Sequence, residues 1–324
     1  MAADGDIHCG AKPLRLIAEL THRCPLGCPY CSNPLALEQR ENELDTAAWM
    51  RVFVEAAALG VRQVDLSGGE PGARRDLVEI AASAREAGLC ANLVTSGVGI
   101  TTRTMRDLWE AGLEHVQLSF QDSDAVAADH IAGHKGAFQV KHAVATEAVR
   151  LGLKLAVNVV VHRANIGRIG AMVELALALK AHRIEIARVR YHGWALKNRR
   201  LLQPTRAQIE RANAEIEGLR RRHQDRIVID VLAPDRCACR SGAPGSAHTC
   251  VIHVMPSGHA LPCPAADSNP ELEFWNVREH SLAEIWRLSP AFNAFRGSFC
   301  PLLHCDSAAC AAEIHVYGPY DYRR

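Results

Sequence analysis

The sequence predicts an α/β protein in which a partial (β/α)6 barrel of the TIM type is followed by a small cysteine-rich domain. Three observations predict this fold. Short apolar segments alternate with segments of helical periodicity, which is typical of a parallel sheet with crossover helices. Polar and glycine-rich motifs follow several of these apolar segments, where barrel enzymes place their chemistry. Seven of the twelve cysteines lie from Cys237 onward, which separates the end of the chain from the rest.

The predicted strands are short apolar runs of the kind that is buried in a parallel sheet. The six strands of the barrel are residues 14–20, 61–67, 91–95, 116–120, 155–161 and 183–189. The helices predicted between and after them are residues 46–59, 74–87, 102–111, 137–151, 166–181 and 205–222. Asp45 is a suitable amino-terminal cap for the first helix and Gly60 a suitable stop.

Three cysteines follow the first predicted strand at the spacing Cys24-x3-Cys28-x2-Cys31. Three thiolates on one loop can hold three corners of a cubane iron-sulfur cluster and leave the fourth iron open. S-adenosylmethionine can chelate such an iron through its amino and carboxylate groups, so the loop predicts a catalytic centre. Spacing alone leaves open a zinc site with a fourth ligand from elsewhere in the chain.

The second predicted strand runs directly into Gly68-Gly69-Glu70-Pro71. Two glycines at a strand end let the backbone come close to a ligand, and their N–H and C=O groups can bind its polar atoms. The turn therefore suits the amino group of a methionine. By itself the glycine pair favours an ordinary strand-to-helix turn, and its position after a second strand is what favours a ligand site.

Polar side chains also end or follow the next three strands. They are Ser96, Ser119, Gln121 and Asn158. Because the carboxyl ends of parallel strands meet at one edge of a barrel, these side chains form a predicted pocket rim that could contact ribose, carboxylate or adenine. Each one taken alone could instead be a turn or solvent contact.

The character of the chain changes after a further apolar strand, residues 227–232, and the turn at Pro234. We predict a barrel core over residues 14–233, preceded by a tail of residues 1–13 and followed by a cysteine-rich domain over residues 234–324. A small hairpin over residues 251–261 and a helix over residues 282–288 are predicted within that domain. The domain is too small for a large core, so metal ligation would have to stabilise it, and its cysteines are Cys237, Cys239, Cys250, Cys263, Cys300, Cys305 and Cys310. Zinc and an auxiliary iron-sulfur cluster remain alternatives for them.

Composition excludes several partners. Lys and Arg number 37 against 36 for Asp and Glu, so no general basic field recruits nucleic acid. No run of about eighteen apolar residues predicts a membrane span, and the amino terminus does not have the pattern of a signal peptide. We therefore expect a cytoplasmic protein, in which the cysteines are metal ligands rather than disulfides.

The cysteine loop and the Gly-Gly-Glu-Pro turn together resemble the radical S-adenosylmethionine superfamily. Seven segments, two of which contain these motifs, resemble its PqqE family, the peptide cyclases of pyrroloquinoline quinone biosynthesis. They are AELTHRCPLGCPYCSNP, LSGGEP, LVTSGVG, HVQLSFQ, NVVVHRANI, YHGWALKNR and LEFWNVREHSLAEIW. The resemblance implies a radical that abstracts hydrogen from a glutamate of the precursor peptide PqqA, after which the carbon joins a tyrosine ring. It also implies the carrier protein PqqD, an electron donor and a carboxy-terminal SPASM domain with auxiliary clusters.

Carried over by position, the resemblance makes Cys24, Cys28 and Cys31 the cluster ligands and Gly68 to Glu70 the turn that contacts methionine. The catalytic base is not identified. The end of the chain departs from the family, because Cys300-x4-Cys305-x4-Cys310 replaces the pattern Cys-x2-Cys-x5-Cys-x3-Cys. The domain is therefore interpreted as shortened or divergent. The resemblance makes Cys239, Cys263, Cys300, Cys305 and Cys310 the candidate ligands of an auxiliary cluster. Two alternatives follow: a single-cluster radical enzyme that modifies another peptide, and an inactive scaffold that binds PqqA and PqqD.

Overall fold

A sheet of nine strands organises the part of the chain that the computed structural model describes, which is residues 12–232, 251–263, 266–267 and 269–296. The strands are β1 (Arg15–Glu19), β2 (Gln63–Ser67), β3 (Cys90–Thr95), β4 (His115–Ser119), β5 (Lys154–Val161), β6 (Arg183–Arg188), β7 (Val228–Leu232), β8 (Val251–Val254) and β9 (Ala260–Leu261). Their order in the sheet is β7-β6-β5-β4-β3-β2-β1-β8-β9. Strands β1 to β7 are parallel to their neighbours, so the predicted partial barrel is confirmed and β7 extends it at one edge.

Helices lie between and after the strands. They are α1 (Thr46–Leu59), α2 (Leu77–Glu86), α3 (Thr102–Glu110), α4 (Ala125–Ala132), α5 (Ala137–Arg150), α6 (Ile169–Ala178), α7 (Gly193–Lys197), α8 (Arg199–Leu202), α9 (Arg206–His223), α10 (Leu282–Leu288) and α11 (Pro290–Arg296). The Asp45 side chain caps α1 by accepting from the Ala48 amide, and Gly60 ends it in the left-handed conformation, as predicted. Helices α4, α7 and α8 were not predicted, because they are short and lie in segments that read as loops.

The two faces of the sheet differ in polarity. Alternate residues of a strand point to opposite faces, and Leu16, Val64 and Leu93 contribute fully buried side chains to the main hydrophobic core. The other face carries polar groups that bind one another across strands. The Asp65 carboxylate accepts from Arg15 Nε at 2.5 Å and from Asn92 Nδ2 at 2.9 Å. The concave face of the barrel is therefore a polar surface whose groups are held in place by cross-strand bonds.

The segment after residue 250 returns to the barrel. Strand β8 pairs parallel with β1, and β9 folds back on β8 as the predicted hairpin. His253 of β8 is 2% exposed and lies 3.4 Å from the Glu19 carboxylate, so it is a buried partner of the barrel. Helix α10 begins at the predicted cap, Ser281, and packs beside α1. In the described residues no helix has both the length and the hydropathy that a membrane span requires.

Candidate functional site

The cysteine loop, residues 21–34, leaves the carboxyl end of β1. Its three thiols are free: Cys24 is exposed, while Cys28 and Cys31 are half-buried. Two of the unpredicted helices hold the loop, because the Gly27 amide donates to Ala132 O at 2.8 Å and the Ala195 amide donates to Cys31 O at 2.9 Å. The end of α4 and the start of α7 thus fix the loop from two sides.

The Gly-Gly-Glu-Pro turn lies directly against this loop. Gly68 has φ +135°, and a Cβ added there would lie 2.4 Å from Thr21 O; a Cβ on Gly69 would lie 2.5 Å from His22 O. The Gly69 amide donates to Thr21 O at 2.6 Å. The glycines are therefore required for the close approach of two backbones. A protonated amino group of a ligand donates hydrogen bonds, so it would bind to carbonyl oxygens of the turn.

The Glu70 carboxylate ties the ends of β2 and β3 together. It is fully buried and accepts from Ser96 N at 2.7 Å, Ser96 Oγ at 2.5 Å, Thr95 Oγ1 at 2.5 Å and Gly72 N at 2.9 Å. Four donors around one carboxylate compensate for its burial. Two predicted site residues, Glu70 and Ser96, are thus brought into contact. The glutamate side chain positions its own turn and the segment after β3 that carries Ser96, which we call the serine loop.

Lys141 of α5 was missed by the sequence analysis and lies at the centre of the site. Its side chain is fully buried, and Nζ donates to Ser119 O at 3.0 Å and to Gln121 Oε1 at 2.6 Å. Gln121 Nε2 in turn lies 4.0 Å from Cys28 Sγ. This Lys141–Gln121–Cys28 chain joins the barrel floor to the cysteine loop. A lysine between Phe138 and Val144, in the apolar stripe of a predicted helix, was the available signal.

Lys141 and the three cysteines of the loop influence one another's pKa. Burial lowers the pKa of Lys141 to about 8, although negative charge on Cys28, Glu70 and Cys24 opposes that shift. Burial also raises the pKa of Cys24 to about 11 and raises those of Cys28 and Cys31. The thiols are therefore protonated at neutral pH, and a soft metal has to displace their protons. The Lys141 ammonium favours the thiolate form of Cys28, which lowers that cost.

The donor set fits the cubane cluster that the sequence predicts. Three free thiols stand on one loop, and of the other described cysteines Cys90 begins β3 at the opposite end of the barrel and Cys263 follows β9. Three thiolates with one open corner suit a cluster that binds a second ligand. The positive charge of Lys141 beside them suits a group that carries net negative charge.

Ser119, the last residue of β4, lies beside Asn158, which is within β5 and does not end that strand as expected. Ser119 Oγ donates to Thr95 O at 3.5 Å, and Asn158 Nδ2 donates to Glu185 Oε2 at 3.4 Å. Both are half-buried, whereas Gln121 is 2% exposed. The polar residues after the strands thus surround one end of the barrel, but Glu70, Ser96 and Gln121 form its buried support and Ser119 and Asn158 its more accessible rim. Of the candidate auxiliary ligands, Cys263 is buried after β9, and Cys239, Cys300, Cys305 and Cys310 lie outside the described residues.

Glu19 links the cysteine loop to the segment after residue 250. Burial raises the pKa of this carboxyl, but hydrogen bonds and positive charge from His253 and His22 outweigh burial and bring the pKa to about 2. His22 belongs to the loop, and its Nδ1 accepts from the Glu38 amide at 2.9 Å. The carboxylate therefore connects β1, β8 and the loop at one buried point.

Comparisons with known proteins agree with this geometry. The family model described as the radical SAM superfamily matches residues 18–176, and the SPASM model, described as an iron-sulfur cluster-binding domain, matches residues 246–311. The chain is 53% identical over 311 residues to the PqqA peptide cyclase of Methylocella silvestris, with 93% of this chain and 83% of that protein covered. It is 50% identical over 292 residues to the PqqA peptide cyclase of Rhizobium meliloti, with 88% and 76% covered.

Two solved structures have a similar fold. One is Streptococcus suis SuiB bound to the precursor peptide SuiA, with a TM-score of 0.74, 19% identity, and 89% of this chain and 67% of that chain covered. The other is anSMEcpe with bound AdoMet, with a TM-score of 0.65, 16% identity, and coverage of 87% and 82%. At this level of identity the likeness concerns the arrangement of strands and helices alone.

Proposed function

Because this chain belongs to the PqqA peptide cyclase family of radical S-adenosylmethionine enzymes, we propose that it forms a carbon-carbon bond between a glutamate and a tyrosine of the PqqA peptide in pyrroloquinoline quinone biosynthesis. The observation that carries the proposal is the packing of the cysteine loop against the Gly-Gly-Glu-Pro turn at the carboxyl ends of β1 and β2. Relatives at about half identity over most of the chain support the same reaction.

Cys24, Cys28 and Cys31 would hold a 4Fe-4S cluster, and carbonyl groups of the Gly68–Gly69 turn would bind the amino group of S-adenosylmethionine. With an electron from an external donor, the bound cluster would supply reductive cleavage of S-adenosylmethionine and thereby a radical able to abstract hydrogen from carbon. Ser119 and Asn158, the more accessible rim residues, would contact the polar part of the cofactor or the peptide.

The buried residues around the site exclude water and keep polar and charged groups in fixed positions. Glu70 fixes Ser96 through two hydrogen bonds, and Gln121 is held between Lys141 and Cys28. These groups do not have to move to take part, so the site is preorganised. Burial of Gln121 and Phe120 keeps solvent away from the floor beneath the cysteine loop, which protects a radical from other hydrogen donors.

The coupling removes two hydrogens from the peptide in total. One leaves as a hydrogen atom, and the second leaves the tyrosine ring as a proton and an electron. The electron requires an acceptor, and we propose an auxiliary cluster that uses Cys263 together with cysteines among Cys239, Cys300, Cys305 and Cys310. The match of residues 246–311 to an iron-sulfur cluster-binding domain supports this assignment. The proposal also includes two partners: PqqD, which carries the peptide, and a separate external electron donor.

The test is anaerobic incubation of the reconstituted enzyme with S-adenosylmethionine, dithionite, PqqA and PqqD. We expect 5′-deoxyadenosine and a PqqA product that has lost two hydrogens by mass. Cys28→Ala should abolish both, while Cys90→Ser, the matched control at the other end of the barrel, should keep its 5′-deoxyadenosine yield. Deoxyadenosine with unchanged PqqA would refute the cyclase, and its absence would refute radical chemistry altogether.

Iron and sulfide content separates the cluster assignments before turnover is measured. About four irons per chain would correspond to the cluster of the cysteine loop, and about six to eight would require auxiliary clusters. We expect the higher value, and a fall by about four in Cys28→Ala. An unchanged iron content in that variant would contradict the assignment of the loop.

A further inference from the structure

A second group of metal-ligand side chains lies at the amino-terminal end of the barrel. Cys90 begins β3, His115 begins the adjacent strand β4, and Glu114 precedes His115. Strand β3 extends over Cys90–Thr95, so Cys90 lies roughly 16 Å from the end that faces the cysteine loop. The group is thus separate from the proposed catalytic site.

The three side chains converge on one point. Each of the three offers a ligand atom, and these atoms all lie within 4.8 Å of one another. Cys90 Sγ and His115 Nδ1 are 3.6 Å apart. Zinc bonds of about 2.3 Å to sulfur and about 2.05 Å to nitrogen, at a tetrahedral angle, separate the two ligand atoms by about 3.6 Å. Among the residues that the structure describes, this is the group of three His, Cys, Asp or Glu side chains whose ligand atoms lie within 4.8 Å of one another, and its sulfur–nitrogen distance matches the value for zinc.

The chemistry of the three ligands selects a class of cation. A thiolate, an imidazole and a carboxylate together suit zinc or cobalt rather than magnesium or calcium, which bind oxygen alone. Cys90 and His115 are half-buried and Glu114 is exposed, so a cation can enter from solvent. The negative charge of Asp65 and the positive charge of Lys154 both act on Cys90 and His115.

We propose that Cys90, Glu114 and His115 bind one divalent cation of the zinc class, with water at the fourth corner, and that this ion clips the start of β3 to the start of β4. The two strands are already hydrogen-bonded, with Asn92 opposite His115. The ion therefore adds a side-chain link at the end of the barrel where the cross-strand bonds begin. The competing explanation is a metal-free contact between the thiol and the imidazole.

Zinc K-edge X-ray absorption tests the proposal, because iron in the clusters does not contribute to the zinc edge. The full-length enzyme is reconstituted with iron and sulfide, equilibrated with zinc chloride and desalted, so that cluster cysteines are occupied first. We expect wild type to hold about one more zinc per chain than Cys90→Ser at equal iron content, with one sulfur among about four neighbours of that zinc. Equal zinc content in the two proteins overturns the proposal.

Three further variants define the ligand set. His115→Ala should lose the same zinc and should lower zinc affinity by at least about 100-fold, since loss of a direct ligand exceeds the effect of losing an outer-shell partner. Glu110→Gln, an exposed glutamate four residues before Glu114, should retain it. Lys154→Met should tighten zinc binding several-fold, because a nearby positive charge is removed. Retention of zinc by His115→Ala, or loss by Glu110→Gln, contradicts the proposed ligands.

Discussion

Replacement of Lys141 by methionine tests the electrostatics of the site directly. Burial brings the pKa of this lysine from 10.5 to about 8. Because one pKa unit corresponds to about 1.4 kcal/mol, the folded iron-free chain holds the charge at neutral pH at a cost of about 3 kcal/mol. Methionine has a similar length and carries no charge, so Lys141→Met removes that cost.

The variant also leaves two acceptors without their donor, Ser119 O and Gln121 Oε1. Each buried acceptor that loses its partner costs about 1 kcal/mol or more. The two effects together predict that iron-free Lys141→Met is more stable than wild type by about 1 kcal/mol at pH 7. In the iron-loaded protein the order reverses, because thiolate charge on Cys28 and Cys24 favours the ammonium. Lys141→Met should therefore retain less iron.

The sign of the pH dependence follows from the same shift. Between pH 8 and 10.5 the native lysine has lost its proton while the unfolded one keeps it, so the free energy of unfolding of wild type rises with pH. Relative to Lys141→Met, wild type should gain about 2 to 3 kcal/mol between pH 7 and pH 10. Urea unfolding of both iron-free proteins, followed by circular dichroism at the two pH values, measures this difference. A difference that does not change with pH would refute a buried, charged Lys141.

Three other substitutions probe buried or closely packed residues of the barrel. Glu70→Gln places an amide among four donors and should cost about 3 kcal/mol of unfolding free energy, measured by urea unfolding against the exposed control Glu110→Gln. Gly69→Ala puts a Cβ 2.5 Å from His22 O, so it should displace the cysteine loop and reduce iron per chain, measured after reconstitution. Burial lowers the pKa of His162 to about 4, so wild type should lose about 3 kcal/mol relative to His162→Asn as pH falls from 6.5 to 4, measured by urea unfolding across that range.

For each of these three variants, one outcome would contradict the prediction. Equal stability of Glu70→Gln and the control would mean that the glutamate does not hold the serine loop. Full iron content in Gly69→Ala would mean that the two backbones can separate without loss of the cluster. Parallel pH profiles for wild type and His162→Asn would show that His162 does not titrate below its usual range. Glu110→Gln itself should stay within about 0.5 kcal/mol of wild type.

The sequence predicted most of what depends on local pattern. Apolar runs located the barrel strands, and the spacing of Cys24, Cys28 and Cys31 located the loop that the structure places at the end of β1. The polar residues after the strands were predicted to form a rim, and the structure gathers them at one end of the barrel. Local pattern also located the cap of α10, because Ser281 and Glu284 form a capping box whose residues are neighbours in sequence.

What the sequence did not reveal depends on contacts between distant segments. From local sequence alone, Lys141 was not distinguished from a lysine exposed to solvent. Its hydrogen bonds to Ser119 O and Gln121 Oε1 exist only when α5 is packed against β4. The role of the glycines at 68 and 69 changed in the same way, because the loop that approaches them comes from another strand. The pairing of β8 with β1 joins parts of the chain that lie far apart in sequence, and hydrophobic periodicity does not specify a partner.

That last pairing has a consequence for the order of events during synthesis. Strand β1 begins at residue 15, and its outer neighbour begins at residue 251, so one edge of β1 stays unpaired while most of the chain is being made. An unpaired edge invites association with other chains, and contacts between distant residues form slowly. The loop that carries the three cysteines directly follows this strand in the chain. We therefore expect the cysteine loop to reach its final position only after residues 251–254 have been made and β8 has paired with β1.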